Sequence, residues 1–174
     1  MSATAQQKTV APWESNPVRS LVRAFGLLER VMQPYFAQFG ITGAQWGILR
    51  TLVRAERGGA TGLRPTDLSA RLLVRPPSIS GALDRMERDG LVARDPLATD
   101  LRAKRVRLTT LGRQKVAQIL NVHERQLRLV LSALADQEQA VLQSLLDRLG
   151  AHLEVLASEE DSRRRVVKKT RVHS

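Results

Sequence analysis

Hydrophobic residues recur every third or fourth position through most of this chain, which is the spacing of helices that bury one face. The first such stretch covers residues 18–39, and Gly40 follows it as a C-terminal stop. Thr42 and Gln45 then have the spacing of a capping box, which predicts a second helix that continues to about Ala55. Both stretches are therefore predicted to be amphipathic helices.

Two short helices around a tight turn are predicted next. Proline is favourable at the first helical position, where its missing N–H costs nothing, so Pro65 predicts a third helix and Pro76-Pro77 a fourth. Gly90 ends the fourth helix as a C′ glycine. This arrangement is the skeleton of a helix-turn-helix whose reading head is residues 75–90. The apolar positions of the third helix are Leu68, Leu72 and Leu73.

Beyond Gly90 the apolar spacing changes from helical to alternating. Residues 91–94 and 104–108 alternate apolar and polar side chains, and they bracket a polar loop at 95–103. Alternation with a period of two is typical of strands with one buried face. We therefore predict a β-hairpin with a basic tip.

Two long helices are predicted to close the fold. The first begins at Thr109 or Thr110, either of which can cap it, and the second is capped by Asp136 with Gln139. From Ser162 the sequence becomes strongly basic and its periodicity is lost. The first and last two helices carry more apolar surface than the small central module can bury, so we predict a homodimer.

The predicted fold class is mainly α with a small β-hairpin wing, a winged helix-turn-helix flanked by N- and C-terminal dimerisation helices. Each boundary falls where the apolar spacing changes or stops. The predicted segments are an N-terminal arm at 1–16, dimerisation helices at 17–39 and 110–160, a DNA-binding lobe at 40–109 and a basic C-terminal tail at 161–174.

Charge indicates a polyanionic partner. The 174 residues carry a formal net charge of +11, and the segment from Arg64 to Lys115 has twelve Lys and Arg against six acids. Roughly half of the positive excess thus lies where double-stranded DNA would be read. No stretch has the length of a membrane span or the apolar centre of a signal peptide, so we expect a cytoplasmic protein with no membrane partner.

The sequence does not indicate an enzyme. It has no cysteine, which excludes disulfides, thiolate metal sites and cysteine nucleophiles. Its three histidines are scattered, no nucleophile stands in a recognisable setting, and no glycine-rich phosphate loop appears. We expect no catalytic residue, no metal site and no cofactor.

The predicted reading head has an apolar face and a small, polar face. Steps of about 100° per residue place Ile79, Leu83 and Met86 on one side. Small outward residues let the backbone approach base edges in the major groove, and the helix N-terminus can offer N–H groups to a phosphate. A well-capped amphipathic helix with a purely structural role is the simpler interpretation. The outward residues are Pro77, Ser80, Gly81, Asp84 and Arg88.

The hairpin supplies cations beside this helix. Arg102 stands at its predicted tip and is the best candidate for insertion into the minor groove. Asp100 can orient it, although a surface ion pair between the two is the alternative. Lys104 and Arg105 are predicted to contact phosphates, and Arg94 is a further predicted DNA contact.

With these elements in place, the chain resembles the MarR family of bacterial transcription regulators over residues 21–156. The resemblance rests on the runs TGAQWGILRTL, LRPTDLSARLLVRPPSISGALDRMERDGLV and DPLATDLRAKRVRLTTLGR and on the closing helix pair. It implies a homodimer that binds a pseudo-palindromic operator on double-stranded DNA, usually as a repressor released by a small aromatic anion.

The resemblance also implies which residues contact DNA. Two departures from the family pattern are visible: Gly81 stands where a long polar side chain is common, and the wing is longer than the common form. By position, the recognition residues are Arg75, Pro77, Ser78, Ser80, Gly81 and Arg85, and the wing pair is Asp100 and Arg102.

The family's effector crevice lies between the dimerisation helices and the DNA-binding lobe. Trp46 and His123 also have a plain structural interpretation, since a Trp on an apolar face is often only packing. The aromatic or polar residues that would line the crevice here are Tyr35, Phe36, Trp46, Arg50 and His123.

One rival to a sequence-specific regulator remains open. A basic architectural or RNA-binding protein without ligand control would also use the excess of cations, and the tail RRRVVKKTR favours it slightly. Sequence preference in DNA binding discriminates the two hypotheses.

Overall fold

The computed structural model describes residues 16–97 and 100–171, and of residues 97, 100–103, 161, 162 and 164–171 it describes the backbone alone. The described chain is mainly α with one antiparallel hairpin, as predicted. Its elements are α1 (Pro17–Ala37), α2 (Gly43–Arg57), α3 (Pro65–Leu72), α4 (Pro76–Arg88), β1 (Val92–Leu97), β2 (Asp100–Leu108), α5 (Thr110–Leu131) and α6 (Asp136–Arg171).

Local capping rules explain where the first helices begin. The Asn16 side chain accepts a backbone N–H of the first turn of α1 at 2.9 Å. The predicted capping box of α2 is confirmed, because the Gln45 side chain accepts the Thr42 N–H at 2.8 Å and the Thr42 hydroxyl accepts the Gln45 N–H at 3.2 Å. α1 ends at Ala37, slightly before the predicted end at residue 39.

The chain divides into two compact units, Met1–Glu124 and Arg125–Ser174, whose boundary falls within α5. The first unit has an aliphatic core drawn from α2, α3, α4, the hairpin and the start of α5. Burial of these side chains is the main favourable contribution to folding. Its most completely buried residues, at most 1% exposed, are Ile48, Leu49, Leu52, Leu68, Leu83, Met86, Val106, Leu108 and Ile119.

The hairpin is longer than the sequence predicted. β1 and β2 extend into the stretch 95–103 that was expected to be a loop, with Asp95 paired to Arg105 and Pro96 to Lys104. Pro96 is tolerated because β1 is an edge strand, where a missing N–H breaks no ladder. A backbone bridge between Leu63 and Val106 adds a short third segment on the other side of β2.

Of the two C-terminal helices, α5 begins as predicted and α6 does not. Thr109 caps α5, since its hydroxyl accepts the Gly112 N–H at 3.0 Å. The predicted Asp136–Gln139 cap of α6 is wrong, because the Glu138 carboxylate instead accepts the Ala135 N–H at 2.8 Å. Gln139 donates backwards to the carbonyl of Leu134.

The backbone of α6 continues to Arg171, so the tail predicted at 161–174 is helical as far as the structure describes it. Loss of apolar periodicity therefore did not mark the end of this helix. Propagation of an existing helix adds one hydrogen bond for each residue ordered and needs no new nucleus, so polar residues can extend it.

Large apolar side chains remain on the surface of α1, α5 and α6. On α1 they are 37–66% exposed, although Met32, Tyr35 and Phe36 on the same helix are buried. Such stripes are unusual on a lone protomer. No described helix is both long and apolar enough to span a membrane. The exposed residues on α1 and α6 include Leu21, Val22, Phe25, Leu28, Val31, Leu142, Leu145, Leu146, Leu149 and Leu153.

Candidate nucleic-acid interface

A buried serine shapes the turn between α3 and α4. The Val74 N–H donates to the Ser69 carbonyl at 3.1 Å, and the Ser69 hydroxyl donates back to the Val74 carbonyl. Leu73 adopts a left-handed conformation with φ of 53°, as residues that follow a helix commonly do. Leu73 was predicted as an apolar position of the third helix, but that helix ends at Leu72, and Leu73 is 87% exposed.

α4 has the two faces that the sequence predicted. Ile79, Leu83 and Met86 are at most 3% exposed and anchor the helix in the core. The opposite face is open to solvent along the whole helix, so it can meet a partner without local unfolding. The exposed residues include the predicted contacts Arg75, Pro77, Ser78, Ser80 and Arg85.

The N-terminus of α4 does not offer free backbone donors in the way the sequence suggested. Pro76 and Pro77 have no N–H. The N–H groups of Ser78 and Ile79 both donate to the Arg75 carbonyl, at 3.0 and 3.3 Å. An anion at this end of the helix would therefore be bound by side chains, with the Arg75 guanidinium and the Ser78 hydroxyl available.

Gly81 is not required by the internal packing of α4. A Cβ placed there would meet only the Arg85 Nη1, at 3.8 Å, which is an ordinary contact. Glycine inside a helix costs about 1 kcal/mol relative to alanine. Packing inside the protein therefore does not require glycine at this position.

Arg94 links the hairpin to α4. Its Nη1 lies 2.7 Å from the Asp84 carboxylate and 3.0 Å from that of Glu87, and its side chain is only 19% exposed. The pair of acids one turn apart on α4 would repel a phosphate backbone, and Arg94 offsets their charge. Direct contact between Arg94 and DNA stays a prediction.

The remaining predicted wing residues differ in their surroundings. Lys104 is exposed. Arg105 leans towards the loop before α3, where its Nη1 donates to the Thr61 hydroxyl at 2.6 Å, and its buried Nε has no partner among the described residues. The side chains of Asp100 and Arg102 lie outside those that the structure describes.

A cross-strand ion pair links the two strands of the hairpin below its tip. The Arg107 guanidinium donates to the Asp95 carboxylate, and this hydrogen bond raises the pKa of Arg107 above its ordinary value. The exposed pair contributes little stability by itself. The pair lies next to the point where the backbone pairing becomes irregular, between Pro96 and Leu97.

The structure brings together the aromatic residues that were predicted to line an effector crevice. The His123 ring stacks near Tyr35 with centroids 5.8 Å apart and meets Trp46 edge-on at 5.1 Å. Phe36 packs against Tyr35 at 5.0 Å. Tyr35, Phe36 and Trp46 are at most 7% exposed, so the cluster is close-packed. Of the predicted set, Phe36 alone lines a cleft of about 450 Å³ between α1 and α2.

The surroundings of His123 disfavour the charged form of its ring. Burial and, next, the positive charge of Arg50 lower the pKa of His123 below its ordinary value, and burial raises the pKa of Tyr35. The Tyr35 hydroxyl lies 3.2 Å from the His123 Nδ1 and 3.5 Å from the Ile119 carbonyl. Arg50 thus acts on the cluster through its charge, and its side chain is exposed.

Sequence reasoning missed two features near the interface. Asp84 and Glu87 stand three positions apart on α4, a spacing that places both acids on one side of the helix and could have indicated a basic partner. Thr61 gave no comparable signal, because its bond to Arg105 depends on where the loop before α3 meets β2.

Comparison with known proteins supports this geometry. A family model described as the MarR family matches residues 39–103, which run from the α1–α2 connection into β2. The transcriptional repressor YetL of Bacillus subtilis is 32% identical over 128 residues, covering 74% of this chain and 75% of YetL. The transcriptional regulator PecS of Dickeya dadantii is 27% identical over 136 residues, covering 78% and 81% of the two chains.

Solved structures agree with the relatives. A MarR mutant from E. coli complexed with operator DNA is similar with a TM-score of 0.69 and 26% identity, over 76% of this chain and 91% of that one. The MepR–DNA complex of S. aureus has the same fold, with a TM-score of 0.69 over 80% and 99% of the two chains. With an open α4 face, a basic hairpin beside it and relatives matched over most of their length, this chain belongs to the MarR family of winged-helix, DNA-binding transcription regulators.

Proposed function

We propose that the chain is a homodimeric repressor that binds a pseudo-palindromic operator and is released by a small ligand. The observation that carries the proposal is the outer face of α4, which is polar and largely exposed and has small residues near its N-terminus. A helix with this surface enters the major groove with its backbone close to the bases. The name of the relative YetL as a repressor supports the direction of regulation.

The exposed apolar stripes of α1 and α6 are the reason to propose a two-fold symmetric dimer. A second copy of the chain is the occupant that buries the leucines of α1 and α6 and duplicates α4. Two copies of α4 related by a two-fold axis read two half-sites about 34 Å apart, one helical turn of DNA. The operator is therefore expected to be an inverted repeat.

Sequence preference is the first test. Operator fragments from the protein's own promoter region are titrated with the protein alongside scrambled DNA of equal length, across a salt series. We expect the ratio of the two affinities to be ~10³ or more and to persist as salt rises, because base contacts are not screened as phosphate contacts are. Equal affinities would support the architectural alternative and overturn the proposal.

A single methyl group tests the close approach of α4. We expect Gly81→Ala to raise the free energy of unfolding by about 0.5–1 kcal/mol, since it removes a helix-interior glycine, and to lower operator affinity about tenfold by adding a group between backbone and bases. Urea denaturation and fluorescence anisotropy measure the two effects separately.

Gly47→Ala is the matched control. Gly47 is a helical glycine of α2 whose added Cβ would meet only Leu72 Cδ2 at 3.5 Å. We expect the same gain in stability with operator affinity changed less than about twofold. If Gly81→Ala left operator affinity as unchanged as the control does, Gly81 would have no part in the contact.

A further inference from the structure

A cleft with three arginines lies between α2 and α3, away from the outer face of α4. One of the three, Arg50, is also in the set predicted to line the effector crevice, and its charge acts on His123. Its volume is about 530 Å³, within the range of small-molecule sites. Arg50 and Arg54 stand one turn apart on α2, and Arg71 faces them from the last turn of α3. The lining is completed by Thr51 and Leu72.

Among the described side chains, no acid is paired with the three arginines of this cleft. No described carboxylate forms a salt bridge with Arg50, Arg54 or Arg71, whereas Arg107 and Arg113 are each paired with an acid. Like charges at positions i and i+4 of a helix destabilise it. Three unpaired guanidinium groups around one cavity therefore favour an anion that neutralises them.

The geometry also indicates what the anion carries. Guanidinium groups match carboxylate and phosphate oxygens in paired hydrogen bonds, and three of them suit a ligand with two or three negative charges. The Thr51 hydroxyl already donates to the Gly47 carbonyl at 2.8 Å, so its oxygen is left as an acceptor. A hydroxyl on the ligand could donate to it.

We infer that this cleft binds a small, hydroxylated polyanion bearing carboxylate or phosphate groups, and that this molecule is the effector. Only the effector role rests on the proposed function; binding of the anion does not. Phosphates of the DNA backbone present the same chemistry, but they cannot donate from a hydroxyl, and the experiment below separates the two sources.

The position of the cleft gives the ligand a route to the reading head. Arg71 and Leu72 immediately precede Leu73, whose left-handed turn sets the direction of α4. An anion that bridges Arg54 and Arg71 binds more tightly when α3 lies in the position that brings these two side chains together. A ligand with that difference in affinity shifts the population of the DNA-binding conformation.

Calorimetric titration of the DNA-free protein with citrate and with inorganic pyrophosphate, at constant ionic strength, tests the site. We expect saturable binding that Arg54→Gln and Arg71→Gln each weaken at least about tenfold, since each removes a charged hydrogen-bond donor. The control is Arg57→Gln, because Arg57 lies on the same helix but lines a different cleft. It is expected to keep the wild-type affinity within about twofold.

Three results would overturn the inference. They are the absence of saturable binding to the wild-type protein, an equal loss in Arg57→Gln, and unchanged anion binding in Arg54→Gln and Arg71→Gln. If these two variants lost affinity for operator DNA without losing any for the anions, the DNA backbone would be the occupant.

A second titration addresses regulation. Citrate is added to the protein–operator complex with chloride adjusted to hold ionic strength constant, and we expect release of DNA from the wild-type protein but not from Arg71→Gln. Binding in the DNA-free titration without release here would overturn the effector role and leave the anion site standing. Failure of the operator preference itself would not alter the DNA-free result, so the two proposals fail separately.

Discussion

Gly112→Ala is expected to lower the free energy of unfolding by about 3 kcal/mol, the upper part of the range for an overpacked core. A Cβ at this position in the first turn of α5 would overlap the Leu91 carbonyl oxygen and lie 3.3 Å from Leu108 Cδ2. The Leu91 carbonyl also accepts the Thr109 N–H at 3.2 Å, so it cannot retreat without disturbing the cap of α5.

Urea denaturation at a fixed protein concentration measures this loss, because the stability of a dimer depends on concentration. Gly47→Ala serves again as the control, since it adds the same methyl group to a helix of the same unit where the nearest atom is 3.5 Å away. A Gly112→Ala protein as stable as this control would mean that α5 does not approach the Leu91 backbone as closely as the structure has it.

Two glutamates on the leucine stripe of α6 are expected to abolish the proposed homodimer. Leu145 and Leu149 are 48% and 38% exposed and stand one turn apart. In a dimer that buries them, Leu145→Glu with Leu149→Glu would place four carboxylates in an apolar interface, at a cost of several kcal/mol for each uncompensated charge. Light scattering is expected to show a monomer at a concentration where the wild-type protein is dimeric.

Operator affinity should fall with the dimer. One copy reads one half-site and loses the gain from linked binding, so we expect a loss of about 100-fold or more. Ser144→Glu with Ala151→Glu is the control, because it adds the same charge to exposed positions on the opposite side of the helix. It is expected to stay dimeric.

Two results for the Leu145→Glu, Leu149→Glu variant would contradict the proposed dimer or its mode of binding. A glutamate variant that stays dimeric would remove the stripe of α6 from the interface. A monomeric variant with wild-type operator affinity would contradict binding to two half-sites.

Arg94 of the hairpin is paired with two acids of α4. The sequence suggested a direct contact with DNA, whereas the structure shows the guanidinium between Asp84 and Glu87. The Ser78 and Ile79 N–H groups are already bonded to the Arg75 carbonyl, so the proposed DNA contact of α4 relies on side chains and on close backbone approach near Gly81.

Much of the fold was readable from the sequence because its signals act over a few residues. The Thr42–Gln45 capping box, the prolines that open α3 and α4, and the glycine that follows α4 each depend on neighbours within about one helical turn. The same locality explains why the apolar face of α4 was predicted correctly.

Where a local signal had a competitor, the prediction was wrong. Asp136 and Gln139 have the spacing of a cap, but Glu138 reaches Ala135 first. Leu73 fits the apolar spacing of α3, but the Ser69 hydroxyl and the left-handed turn end that helix before it. In both cases the sequence pattern allowed the helix to begin or end at either of two nearby residues. The hydrogen bonds in the folded chain determine which of the two it is.

The sequence by itself thus determined the order and type of the helices, the basic character of the DNA-binding lobe and the family resemblance. Only the tertiary structure decided which faces meet: Arg94 with Asp84 and Glu87, Leu63 with Val106, and the three arginines around one cleft. Periodicity specifies the face that each element buries but not its partner, because that choice depends on how several elements pack at once.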